Sequence, residues 1–191
     1  MKIAVLGGGN GSFAAAGDFA LQGHDIRLWR RDAVEVAEHR AAGSRIMLKD
    51  ANGRHDVQLA LVTTDIAEAV QDAELILCPI PAFAQEDIAR LLAPHLGDGQ
   101  VVFLPPATFG SMILATAVRD VGNRAAVSFA ETGTLPWLTR KHARFEVAIT
   151  IRAKRLPVGV FPLKAADHAL EVIGRAFPGA IEPCGDALSA A

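Results

Sequence analysis

The chain has 191 residues, 51% of them hydrophobic and 21% charged, and carries a formal net charge of −2. This composition argues for a sizeable core and against disorder, and it gives no reason to expect nucleic acid or an anionic membrane surface as a partner. Two distant cysteines, Cys78 and Cys184, form no CxxC pair and no metal site is expected. No apolar run approaches the roughly 20 residues of a membrane span, so a reduced, cytoplasmic protein is the simplest expectation.

The first element is a strand, Lys2–Leu6, and a small-residue helix is expected at Ser12–Gln22. Between them lies Gly7-Gly8-Gly9-Asn10-Gly11-Ser12. Strand, glycine turn and helix in that order have the geometry of a dinucleotide-binding turn. The first glycine permits the tight turn, the second lets a pyrophosphate approach the backbone, and the third position lets the helix pack on the strand. Gly7 and Gly9 take the first two roles, and Ser12 stands where Gly or Ala is usual. The phosphates would meet free N–H groups and the positive end of a helix dipole. A tight turn without a ligand is the bland alternative, and the position as first strand and first helix favours the phosphate cradle.

The second strand, Asp25–Trp29, runs into Arg30, Arg31 and Asp32. NAD-binding turns of this kind place an acid here to accept the ribose hydroxyls, whereas an arginine accommodates the 2′-phosphate of NADP. Arg30 and Arg31 are therefore expected to clamp that phosphate, with NADP(H) favoured over NAD(H). Asp32, with Glu35 three residues on, reads as a capping box opening the helix Ala33–Ala42. Gly23 reads as the C-cap of the first helix, and the polar run around His55 as a turn.

Further strands are expected at Gln58–Val62, Leu75–Cys78, Val101–Leu104 and Ala126–Ala130, and helices at Ile66–Gln71, Ala84–Ala93 and Ser111–Arg119. This alternation predicts an α/β fold, a Rossmann-like, doubly wound and mostly parallel sheet covered on both faces. After Ala130 the rhythm changes. Residues 143–162 read as an antiparallel hairpin turning near Ala153–Lys154, followed by a helix ending near Phe177 and the opening of another at the close.

Ligands of such sheets lie across the carboxyl ends of the strands. Pro79, Pro81 and Pro105 stiffen the loops there, beside the expected nicotinamide. Glu131 and Thr132 end the sixth strand facing the same crevice, although a buried glutamate satisfied by backbone N–H groups is an equal reading. Hydride delivery to a carbonyl or imine also needs a proton donor. His24 and His95 fall in turns at the far end of the sheet, and His39 and His168 on helices, read as solvated. His142 is the one histidine with a plausible position, and the chain offers no convincing donor.

Taken in order, "VLGGGNGS", "LWRRD", "PIPAFA", "LPPATFGS", "ETGTLPWLTR" and "KRLPVGVFP" resemble the nucleotide-binding domain of the opine dehydrogenase family. The resemblance implies reductive condensation of a 2-keto acid with the amino group of an amino acid, using NAD(P)H. It carries Gly7, Gly9, Asn10, Gly11 and Ser12 onto the phosphate turn, and Glu131, Thr132 and Arg140 onto the motif facing the domain cleft. Arg30 departs from members with an acid there. The resemblance also implies a second, helical domain with the catalytic histidine, expected to begin about where residues 1–191, read as one domain, end. A fragment of a longer protein and a free-standing cofactor domain both remain open. A related NADP-dependent reductase of ketopantoate or glycerol-3-phosphate dehydrogenase type, and a non-catalytic NADP(H)-binding module, are the alternatives. A homodimer, or pairing with a separate helical domain, is the expected assembly.

Overall fold

The computed structural model describes residues 1–190. In chain order the elements begin β1 Lys2–Leu6, α1 Asn10–Leu21, β2 Asp25–Trp29, α2 Ala33–Ala41, β3 Arg45–Asp50 and β4 Gly53–Gln58. They continue with β5 Leu61–Thr63, α3 Ile66–Val70, β6 Leu75–Leu77, α4 Ala82–Leu92, β7 Val101–Leu104 and α5 Gly110–Asp120. The last are β8 Ser128–Glu131, β9 Trp137–Ala143, β10 Glu146–Arg152, β11 Leu156–Phe161, α6 Ala166–Ala176, β12 Ile181–Gly185 and α7 Ala187–Ala190.

Eight strands form the main sheet in the order β12-β11-β8-β7-β6-β1-β2-β5. From β5 to β8 every pairing is parallel, and β11 then adds antiparallel to β8. The chain leaves β1 towards β2 and β5 on one side and resumes with β6, β7 and β8 on the other. The topological switch point therefore falls between β1 and β6, where the carboxyl ends open a crevice. β6, β7 and, after Lys2, β1 are continuous apolar runs because both faces are covered. One core packs α3, α4 and α5 against the sheet, and the other packs α1 and α6.

A second sheet, β4-β3-β10-β9, lies over α1. This explains the composition of that helix. Ala14, Ala15 and Ala16 are all fully buried, as they must be when a helix is covered on both sides. At Gly17 an added Cβ would stand 3.4 Å from the Ile46 side chain, so the helix is slim where β3 crosses it. Asp18 fixes the layers to each other. It accepts from Trp137 Nε1 at 2.8 Å and from Arg152 at 2.8 Å, and Arg152 also donates to Asp50.

Three sequence expectations are corrected here. The hairpin lies one strand earlier than expected: β9 pairs antiparallel with β10, while β11 crosses into the main sheet. The polar run around His55 is the β3–β4 hairpin and not a mere turn. His39 is fully buried, stacked between Phe13 and Phe145 with centroids 5.8 and 4.3 Å away, and burial lowers its pKa. Among the described residues, no helix is long and apolar enough to cross a membrane.

Candidate functional site

The turn after β1 is held by main-chain geometry. Gly7 has φ +121°, which disfavours any side chain, and its N–H donates to the Trp29 carbonyl at 2.9 Å. Ser12 is buried, and its hydroxyl donates to the Leu6 carbonyl at 3.4 Å, so the serine ties helix to strand. Gly11 abuts Pro79, where an added Cβ would come within 3.1 Å. Gly9 is different. Its φ of −82° and ψ of −174° suit any residue, and a Cβ there would meet nothing within 4 Å. Packing gives no reason for a glycine at this position, whereas a pyrophosphate needs the open space beside the first turn of α1. The turn thus fits a dinucleotide.

Asn10 does not cap its helix. Its Oδ1 accepts from the Lys141 N–H at 2.9 Å, so β9 braces the turn from outside. Lys141 Nζ donates to the Gly8 carbonyl at 3.3 Å and lies 3.7 Å from the Phe13 ring centroid. Burial, with Arg30 and Arg144 nearby, lowers its pKa to about 8. Lys141 was not singled out in the sequence, and no local signal marks it, because its partners are more than 130 residues away.

A cleft of about 340 Å³ at the switch point is lined by Gly7, Gly8, Gly9, Ser12, Arg30, Arg31, Glu35, Pro79 and Pro81, among others. The two arginines behave differently there. Arg31 is exposed and lies 3.9 Å from Asp87. Arg30 is only 5% exposed, sits 5.4 Å over Phe13, and forms an ion pair with Glu35. A Cβ on Gly8 would stand 2.6 Å from the Arg30 guanidinium, so the turn lies directly against this side chain. Arg30 Nη1 is buried without a hydrogen-bond partner, and desolvation lowers the pKa of the group. Asp32 caps α2 through the Val34 and Glu35 N–H groups, as its pattern predicts.

The other expected residues do not gather in one cleft. Pro105 is buried at the end of β7, outside the lining of the crevice. Glu131 is fully buried, and its two oxygens accept from the Phe109 and Ser111 N–H groups, both at 2.7 Å. It is the helix-holding glutamate of the structural reading, steadying the start of α5 with no oxygen turned to a cleft. Thr132 is fully buried too, with an unpartnered hydroxyl. Arg140 belongs to β9 of the second sheet, and strand alternation sends it to the face opposite Lys141. His142 is exposed on the same strand. A larger groove of about 550 Å³ runs between α4 and α5, lined by Phe109, Met112 and Ile113, but its Glu86 and Arg90 pair with each other.

A doubly wound sheet with a glycine turn at its switch point defines the class, a dehydrogenase-type domain for a nicotinamide dinucleotide. The family is given by sequence: the model for the N-terminus of NAD-dependent glycerol-3-phosphate dehydrogenases matches residues 2–104, and the chain belongs to that family. The chain is also opine dehydrogenase-like in sequence. It is 31% identical to the opine dehydrogenase of Arthrobacter sp. (strain 1C) over 176 residues, 92% of this chain and 48% of that protein. The fold of octopine dehydrogenase with NADH and pyruvate superposes with a TM-score of 0.78 at 22% identity, covering 96% of this chain and 49% of that one. Yersinopine dehydrogenase with NADP+ gives 0.79 at 16% identity, covering 100% and 49%. The chain thus spans about half the length of these relatives.

Proposed function

We propose that the chain is the cofactor-binding domain of an NADP-dependent oxidoreductase of the opine type, joining a 2-keto acid to the amino group of an amino acid by reductive condensation. The observation that carries the cofactor reading is the glycine turn at the switch point, with Gly7 at φ +121° and the space beside Gly9 open at the start of α1. Arg31 at the cleft mouth, with Arg30 and Lys141 behind it, supports the 2′-phosphate and hence NADP(H). When bound, the dinucleotide supplies a hydride to an electrophilic carbon. The residues of this chain bind and orient it: the Gly7–Ser12 turn takes the pyrophosphate and the end of β2 takes the adenosine. Pro79 and Pro81 hold the neighbouring loop against it. The substrate assignment is supported by the opine dehydrogenase-like sequence, which extends through 92% of the chain.

Calorimetric titration with NADPH and NADH, alongside Arg31→Ala, tests this reading. Tighter binding of NADPH, with the preference reduced in the variant, is the expected result; absence of binding to either nucleotide would refute it. A second reading, a glycerol-3-phosphate dehydrogenase-type reductase, draws support from the family match over residues 2–104. Substrate profiling of a protein carrying the remaining length of the relatives separates the two.

A further inference from the structure

We infer that Glu35 sets the balance between the two nicotinamide cofactors, acting as the acid that the end of β2 lacks. The inference rests on the reading that the cleft at Gly7–Gly9 takes the adenosine end of a dinucleotide.

Glu35 occupies the third position of α2, where the glutamate of a capping box turns back to the N–H of its cap residue. Here only half of that motif forms. Asp32 Oδ1 accepts from Val34 N at 2.9 Å and from Glu35 N at 3.0 Å. The Glu35 carboxylate does not return the bond to Asp32. It reaches into the cleft and pairs with Arg30 Nη2. Its side chain is 37% exposed while that of Arg30 is 6% exposed, so the arginine presents its outer edge through the glutamate. Both residues line the cleft with Gly7, Gly8 and Gly9. The other charges around it are Arg31 and Asp87, which face each other at the rim, Asp32, committed to its cap, Lys141 on Gly8, and Arg144, which acts on Arg30 and Lys141 and is itself paired with Glu38.

One guanidinium edge thus serves two anions in turn. Against an unphosphorylated ribose, Glu35 can stay on Arg30 and offer its exposed oxygen to a ribose hydroxyl, the task that an acid at the strand end performs in NAD-binding turns. A 2′-phosphate carries two negative charges to the same place. It must displace Glu35 from Arg30 and then lie beside a carboxylate of like charge. Glu35 therefore favours NADH and penalises NADPH, opposing the arginines that recruit the phosphate. Discrimination by a repulsive element is a common route to specificity.

The test is calorimetry on the chain with NADPH, NADH, 2′,5′-ADP and 5′-AMP, comparing the wild type with Glu35→Gln and Glu38→Gln. Glu38 lies about one turn further along α2 and pairs with Arg144, outside the cleft lining, so its variant carries the same charge change elsewhere. In Glu35→Gln, NADPH and 2′,5′-ADP should bind more tightly and NADH and 5′-AMP more weakly. The affinity ratio should move by about tenfold, the order of one partly screened charge contact. Glu38→Gln should leave the ratio within about twofold. An unchanged ratio in Glu35→Gln, or an equal shift in both variants, would overturn the assignment of Glu35 while leaving the cleft reading intact. A wild-type chain that binds none of the four nucleotides would remove the cleft reading and this inference together.

Discussion

Gly8 and Gly9 are adjacent and chemically identical, yet the surroundings of each give opposite expectations for adding a methyl group. At Gly9 the methyl would touch nothing, so Gly9→Ala should change folding stability by less than about 1 kcal/mol in urea unfolding. Dinucleotide affinity should fall by at least about tenfold, because the methyl fills the space left for the phosphate. Gly8→Ala drives a Cβ into the Arg30 guanidinium, the far end of a long side chain that must shift from its place over Phe13 and beside Glu35, and should cost about 1 kcal/mol of stability. A Gly9→Ala protein that loses stability and keeps its nucleotide would contradict the phosphate role. Lys141 gives a pH-dependent expectation at the same scale. The folded chain holds the Lys141 pKa down at about 8, well below that of an ordinary lysine, so the unfolded state binds more protons across the window between them. Stability contributed at this site therefore rises as pH increases through about 8 to 10. A phosphate held beside Gly8 would favour the ammonium and draw the proton back. Nucleotide affinity should then weaken from pH 7 to 9.5, with proton uptake visible as buffer-dependent heat. Lys141→Met should abolish both effects.

Among the elements, α1 shows how much of the fold its sequence carries. The glycine turn, the small residues and the strand before it point to a dinucleotide-binding β–α unit, and the structure has that unit at the switch point. The all-round apolar face of α1 also implies a cover on its outer side, which the second sheet provides. What could not be read locally was the source of that cover. β10 and β11 are neighbouring apolar runs joined by a short turn, the pattern of a hairpin, but β10 closes its hairpin with β9 and aligns with the distant β3, while β11 crosses to β8 in the main sheet. Nothing in the intervening Ala153–Arg155 turn encodes that choice. The β3–β4 hairpin did carry a local signal: Asn52-Gly53 at the turn between two strand-forming runs. The burial of Arg30 was hidden for a related reason, since residue type gives the charge but not the depth, whereas a buried Glu131 held by backbone N–H groups was one of the two readings its sequence position allowed. Asp18 joins α1 to the second sheet, and Asp18→Asn removes the charge that Arg152 and Trp137 address. It should cost about 2–3 kcal/mol, less than a fully buried pair because Arg152 is partly exposed. Urea unfolding followed by Trp137 fluorescence measures that loss. A change under about 0.5 kcal/mol would mean the layers are held by apolar contact alone.

For the molecule as a whole, binding should appear as stability. A nucleotide present at a hundred times its dissociation constant adds about 2.7 kcal/mol, or roughly 5–10 °C in the melting temperature of a chain this size. A melt that does not move with saturating NADPH or NADH would argue against the cleft at Gly7–Gly9 as a nucleotide site. The bracing of the turn has another consequence, in time and not in space. The glycine turn is made within the first dozen residues, but β9, which holds Asn10 and Gly8, begins at residue 137. β10 in turn aligns parallel with β3 through Met47↔Glu146, across about a hundred residues. Closing so wide a loop is slow compared with forming the β3–β4 hairpin. On a ribosome adding about 5–20 residues each second, the first β–α unit emerges several seconds before its outer layer is complete. During that interval only the β3–β4 hairpin covers α1, and the flank that β9 and β10 will take stays open, so this is the stage at which chaperones would be needed and at which aggregation would start.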